Sequence, residues 1–346
     1  MSLTLSEIRG QYKALKQTIS LFDSMQEEIR GLFGRCRPAS IVFTGCGSSY
    51  SLSCSFRSIA SLRTDIPVYA LASGDLWLNC SRYKRLIRDS LIVSVSRSGE
   101  TSELVNACRT IRENEPGVRI LSVICADGTP LEELSDLTLR MPWAFDSSVC
   151  QTRSVSCMYS MGAMVIGGLF GDPSIREGVA KMAETGPAYL DRIDPVAREL
   201  ASLDWDHGVV LADGEIDGIA EEAALTFKEI CRRNSNYYHL LDVRHGPVTI
   251  IGGNTLVVAA VKSPACRYET QLIKDLAATG AHVVCYSSSG SDVTGTLSVP
   301  LCEDVGSVAF GLGLVALCQL TTYYKSLVVG CDPDHPDGLT AWIKIG

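Results

Sequence analysis

Positive charge is what this chain is short of: 31 lysines and arginines stand against 39 aspartates and glutamates, a formal net charge of −8 at pH 7. With no Lys/Arg stripe anywhere, a nucleic-acid surface is excluded, and an anionic ligand has to be held by local dipoles and a few placed cations rather than by a global field. C-x-x-C pairs are also missing, the 14 cysteines being scattered singly. That spacing argues against cysteine metal sites, and a large core needs no disulfide framework, so buried thiols, a reducing compartment and no metal or other cofactor are expected. Cys46 and Cys150, in candidate site loops, are the thiols expected to be sensitive to oxidation. Long apolar runs are absent too. The longest, Val308 to Leu320, carries Gln319 and is too short to cross a bilayer, while Met1 to Arg30 is polar and helical rather than signal-like. A cytoplasmic protein with no membrane partner is expected.

What is present is enough apolar sequence for a large core: 46% of the 346 residues are hydrophobic and 20% charged, which fits two domains better than one. Short apolar strands alternate with helical stretches, the pattern of a parallel sheet covered by helices on both faces. The pattern also repeats. Val42, Phe43 and Thr44 before Gly47 correspond to Val209, Val210 and Leu211 before Gly214, about 167 residues later. Leu91 to Val95 likewise correspond to Val257 to Val261, the latter followed by a loop at Lys262 to Arg267, and Ile120 to Ile124 to His282 to Tyr286. The expected architecture is α/β: two tandem doubly wound parallel-sheet domains of flavodoxin-like, three-layer type, related by internal duplication. An N-terminal helix over 1–34 precedes a first domain at 35–180 and a second at 195–346, with a helix near Asp172 to Leu203 joining the halves.

The chemistry-bearing loops follow the strands. Leu91 to Val95 end in Ser96, Arg97, Ser98, Gly99, Glu100 and Thr101, after which a helix starts. Hydroxyls, a glycine that lets amides turn inward, and the positive end of a helix make an anion cradle. A second such turn, Gly45, Cys46, Gly47, Ser48 and Ser49, follows the strand Ile41 to Thr44. Two loops facing each other across the sheet would hold one phosphate ester. The second half has Asp213, Gly214 and Glu215 and then Ser263, Pro264 and Ala265 at the matching places, and only the first half is expected to bind phosphate well.

The second half instead carries an amphipathic helix from Ala224 to Ile230 and, sixteen residues after Glu229, His245 within Arg244, His245, Gly246 and Pro247. On the residues alone, Glu229 beside Lys228 and Arg232 reads first as a solvated surface charge, and His245 as the brace of a turn. His207, His239, His282 and His335 have no motif around them, and Met158, Met161 and Met164 read as core.

The two Ser-rich loops with their spacing resemble the sugar isomerase (SIS) domain family of phosphosugar-binding proteins, over roughly residues 35 to 346. The similarity extends to the isomerase domain of glucosamine-6-phosphate synthases and to fructosamine-6-phosphate deglycases. It implies that Gly47, Ser48, Ser49, Ser96, Arg97, Ser98 and Thr101 bind substrate, with Val149 and Gln151 in a third loop, Ser148 to Ser154, that meets sugar hydroxyls. It also implies proton transfer by Glu229 as base and His245 as acid or ring opener. A homodimer or higher homo-oligomer with shared sites is implied as well, the histidine loop reaching into the neighbouring subunit.

Three departures from the family pattern stand out. Arg97 takes the place of glutamine in many relatives and adds a cation beside the phosphate. Thr226 replaces a lysine one turn before Glu229, and the tail from Asp337 to Trp342 lacks the lysine that engages the open-chain sugar, Lys344 coming too late. With no amidotransferase segment bearing an N-terminal cysteine in the sequence, a complete synthase is not expected. The implied function is aldose-ketose isomerisation of a sugar or amino-sugar phosphate by proton transfer at C1/C2. A fructosamine-6-phosphate deglycase or amino-sugar-phosphate deaminase, and a non-catalytic phosphosugar sensor, are the alternatives.

Overall fold

The computed structural model describes residues 2–261, 264–290, 293 and 295–345. Lys262 and Ser263, part of the loop set against the first-half cradle, lie outside the described residues.

Helix α1 (Leu3–Cys36) leads in, its start capped by the Ser2 side chain, which accepts from the Leu5 amide. There follow β1 (Ser40–Gly45), α2 (Ser48–Ser61), β2 (Val68–Ala72), α3 (Ser73–Leu78), α4 (Cys80–Ile87), β3 (Ser90–Ser96), α5 (Ser102–Asn114), β4 (Arg119–Ile124), α6 (Pro130–Glu133) and β5 (Leu137–Arg140). Two long helices, α7 (Arg153–Phe170) and α8 (Ser174–Ser202), cross to the second half. That half holds β6 (His207–Leu211), α9 (Asp217–Glu229), β7 (Asn234–Tyr238), β8 (Thr255–Ala260), α10 (Arg267–Ala278), β9 (His282–Ser287), β10 (Leu297–Pro300) and α11 (Gly306–Val329).

Each half builds one five-stranded sheet, ordered β2-β1-β3-β4-β5 and β10-β9-β8-β6-β7, with every pairing parallel. Read from its other edge the second sheet is β7-β6-β8-β9-β10, the same path as the first, so the duplication seen in sequence is a duplication of topology. Central β1 and β3 are buried along their whole length, as strands covered on both faces must be, and this is why they read as unbroken apolar runs. In an open sheet of this order the chain leaves β1 and β3 in opposite directions, opening a crevice at their carboxyl ends. Both Ser-rich loops start there.

The halves share one core. Its largest cluster joins α1, α2, α7, α8, α9 and α11 to the inner faces of both sheets, with Tyr12, Phe56, Trp205 and Leu312 buried in it. The apolar run Val308 to Leu320 is the middle of α11, a 24-residue helix that is long and apolar enough to cross a membrane yet is packed inside the protein. For the site, the contact between α2 and α9 matters most. At Gly218 a Cβ would come within 1.9 Å of the Ser51 carbonyl oxygen, so only glycine lets α9 lie this close to α2. That approach brings the end of α9 to the first-half cradle.

Candidate active site

A cavity of about 270 Å³ opens where β1 and β3 end. One wall is the start of α2, with Gly47, Ser48 and Ser49; another is the β3–α5 loop, with Ser96, Ser98 and Thr101. Ser96 Oγ accepts from the Gly99 amide at 2.9 Å and Ser98 Oγ from the Glu100 amide at 3.2 Å, which shapes the loop and leaves both hydroxyl hydrogens to donate elsewhere. Thr101 is the N-cap of α5 but its side chain caps nothing, so its hydroxyl is not spent on the helix. Gly99 has φ +66°, and a Cβ on it would lie 2.5 Å from Thr129 Oγ1; the turn requires glycine twice over. Hydroxyl donors and two helix starts around one space fit an oxyanion.

Glu229, the last residue of α9, lines the same cavity. Burial pushes its carboxyl up to about 7, opposed by the positive charges of Arg97 and Lys228. Its place at the negative end of a helix acts in the direction of burial. A carboxylate poised near neutrality beside hydroxyl donors can take and return a proton. Two turns earlier on the same helix, Glu222 is fully buried and neither oxygen makes a hydrogen bond of ordinary geometry, the Ser48 hydroxyl easing its charge without completing one. Burial and then the charge of Glu229 raise it well above the ordinary carboxylate value.

The third loop reaches the site through its backbone and Gln151. Gln151 lines the cavity, whereas Val149 does not: its amide donates to the Asp334 carbonyl and its carbonyl accepts from Arg97. The loop is held from behind by two acids. Glu7 of α1 accepts from the Ser147 and Ser148 amides and the Ser148 hydroxyl, and Asp146 accepts from the amides of Thr152, Arg153 and Ser154. Cys150 is buried and Cys46 lies in the cavity wall. Burial pushes the Cys46 thiol up to about 11 and Cys150 higher still, so neither holds a thiolate at neutral pH, and the expected sensitivity to oxidation is not supported.

Arg97 is 3% exposed and lines the cavity, but its Nη1 and Nη2 donate to the carbonyls of Ser148, Val149 and Ala341. The roof is the C-terminal segment from Gly338 to Ile343, with no lysine in it; Lys344 points outward and pairs with Glu100 at 2.8 Å. Thr226 is buried and its hydroxyl donates back to the Ala223 carbonyl, so no cation stands at that point of α9. His245 is exposed, on a short turn after β7, and is not among the residues lining the cavity with Glu229; a single chain does not bring the pair together.

Glu222 escaped the sequence reading although the seven-residue spacing before Glu229 was there to be used, since two turns return a helix to the same face. The roof gave no such signal, because it has no periodicity.

At the corresponding ends of β6 and β8 the second half has its own cavity, about 360 Å³, lined by Asp213, Glu215, Glu269, Glu303 and Asp304 among others. Acids outnumber the hydroxyl residues Ser288 and Ser307 there, the reverse of the first-half cavity.

Comparison with known proteins assigns the first half: the SIS domain model matches residues 35–166. Residues 35–166 form a SIS domain. Among curated proteins the chain is 25% identical over 319 residues to glutamine–fructose-6-phosphate aminotransferase (isomerizing) from Thermotoga maritima, covering 87% of this chain and 51% of that one. The Haemophilus influenzae protein of the same name is 23% identical, covering 94% and 54%. The chain thus spans about half the length of these relatives. Among solved structures, tagatose-6-phosphate ketose/aldose isomerase from Escherichia coli superposes with a TM-score of 0.87 at 23% identity, covering all of this chain and 96% of the other. Glucosamine-6-phosphate deaminase from T. maritima gives 0.81 at 24%, covering 99% and 100%. These superpositions extend the SIS fold from the first domain over both sheets.

Proposed function

We propose that this chain is an enzyme that binds a phosphorylated sugar in the SIS-domain cavity and isomerises it between aldose and ketose. The observation that carries this reading is Glu229, a carboxylate titrating at about 7, set in the same cavity as the hydroxyls of Ser48, Ser49, Ser96, Ser98 and Thr101. The hydroxyls and helix starts hold the phosphate; Gln151 meets the sugar. Glu229 removes the proton from the carbon next to the carbonyl and the electron pair moves onto the carbonyl oxygen to give an enediolate; a proton passes from the neighbouring hydroxyl to that oxygen, and the same carboxyl returns its proton to the former carbonyl carbon as the new carbonyl forms. No redox change occurs, and neither a metal nor a cofactor enters the step.

His245 serves as the acid or ring opener from a second subunit. Its exposure, and that of Leu241 and Ile250 on the same segment, suits a loop that packs against another copy, so the working unit is a homodimer or larger homo-oligomer. The fourteen free thiols suit a reducing cytoplasm.

A second reading, release of an amine from C1 or C2 of a fructosamine or amino-sugar phosphate, is favoured by one observation. Neither Thr226 nor the Gly338–Ile343 roof offers a lysine to the open-chain sugar. A sensor that only binds has no use for a carboxylate tuned to neutrality. Mass spectrometry of products from a panel of hexose, amino-sugar and fructosamine 6-phosphates tests all three. Interconversion without release supports the isomerase, amine release the second reading, and a ligand that raises the melting temperature without turnover the sensor.

A further inference from the structure

Arg97 is a buried cation whose Nη hydrogen bonds among the described residues all go to neutral carbonyls. Nη1 is 3.0 Å from both the Ser148 and Val149 carbonyls, Nη2 holds the Ala341 carbonyl, and Nε is sealed without a partner. The planes of Phe145 and Trp342 flank it, at 5.9 and 6.0 Å from its Cζ, and the two rings meet edge to face at 6.3 Å. One guanidinium therefore joins the third loop to the roof. The roof and the residues after it have three further ties, at α5 and the loop before it: the Ser102 amide donates to the Ile343 carbonyl at 3.1 Å, the Ile345 amide to Ser102 Oγ at 2.9 Å, and Lys344 pairs with Glu100 at 2.8 Å.

The geometry points to Arg97 as a positioning residue with two effects: it fastens the 338–343 segment over the cavity, and it leaves an uncompensated positive charge beside Glu229. A planar fork with fixed donors can bridge two backbones, which a lysine cannot do. A charge solvated only by dipoles keeps its field on its surroundings, and the cavity is the place left for an anion to answer it. The charged and titratable groups that bear on Glu229 are Arg97 from the β3–α5 loop, Lys228 and Glu222 on its own helix and Cys150 on the third loop; Cys46 and Glu103 share the cavity wall, and the roof supplies none. Arg97 is first among those that favour the charged form of Glu229. The requirement that Glu229 be the base rests on the function proposed above; the fastening does not.

Three variants separate the two effects. In Arg97→Gln, Trp342 emission shifts to the red and the 338–345 segment is cut faster by protease without any substrate present. The acidic limb of kcat/KM then moves up by about one pH unit or more, and kcat/KM falls on the order of a hundredfold. Arg97→Lys keeps the charge and loses the fork, so it loosens the segment but leaves the acidic limb in place. Trp342→Ala removes one flank of the guanidinium and loosens the segment with the charge retained, a second route should Arg97→Gln fail to fold. Wild-type emission and protease resistance in Arg97→Gln would overturn the fastening. An unmoved acidic limb in that variant would overturn the electrostatic effect. Absence of turnover by the wild-type protein on the whole sugar-phosphate panel would count against the proposed function alone, since emission and proteolysis are read without substrate.

Discussion

Glu222 and Glu229 stand seven residues apart on one face of α9, and the first is sealed inside the protein while the second opens onto the cavity. Two carboxyls so placed cannot both hold a charge cheaply. The cation of Arg97 and the cavity lie on the Glu229 side, so the negative charge belongs there and Glu222 stays neutral. The approach of α2 and α9 at Gly218 sets the two helices close together, and the Ser48 hydroxyl at the start of α2 reaches toward Glu222.

A neutral buried acid has a consequence for stability. Glu222 binds its proton more tightly folded than unfolded, so the unfolded state ionises first as pH rises above the ordinary value of 4.5, and stability falls from there up to the raised folded value. Glu222→Gln lacks this penalty. Its stability relative to wild type should therefore grow with pH by about 1.4 kcal/mol per unit above that point, and the difference should flatten below it. Urea midpoints measured from pH 4 to 8 check this; a constant offset across the range would show that Glu222 is ionised in the fold.

Glu229 has the opposite duty, since a base works only when deprotonated. With its carboxyl at about 7, kcat/KM should climb through neutrality and level off above it. Glu229→Gln should lose roughly 10²- to 10⁴-fold in kcat while calorimetry still finds ligand binding close to wild type. Unchanged turnover in that variant would remove Glu229 from the chemistry.

The sequence carried the central strands and cradle loops because both are local. Val42, Ile92, Val209 and Val257 sit in strands buried on both faces, and the Ser-rich turns follow them directly. Edge strands β5, β7 and β10 are half-buried and lack such runs; β7 is Asn234, Ser235, Asn236, Tyr237 and Tyr238, while edge strand β2, Val68–Ala72, is apolar yet only half-buried. The meeting of Glu229 with Ser48, Ser96 and Ser98 depends on two halves sharing one core, a relation no local pattern encodes. Arg97 was legible as a cation near the cradle. That its donors bind Ser148, Val149 and Ala341 depended on where a loop and a tail arrive.

Thr101 offers the plainest test of the cradle, because its hydroxyl neither caps α5 nor is needed to shape the loop. Thr101→Val keeps the shape of the side chain and removes one donor to a charged ligand. KM for the sugar phosphate should rise roughly ten- to hundredfold, with kcat and melting temperature little changed. A kcat defect with unaltered KM would place the phosphate elsewhere.

The exposed His245 and the cavity-lining Glu229 make a prediction about subunits. If each working site takes its glutamate from one chain and its histidine from another, Glu229→Gln and His245→Ala proteins are each inactive alone. Mixed and allowed to exchange subunits, they form hybrids in which one site carries both defects and the other carries none. Random pairing in a dimer then restores about a quarter of the sites. Recovery of activity on mixing, read against each variant by itself, supports the shared site. If mixing restores nothing although subunit exchange is confirmed by mass, His245 serves the cavity of its own chain, and its turn must move to reach it.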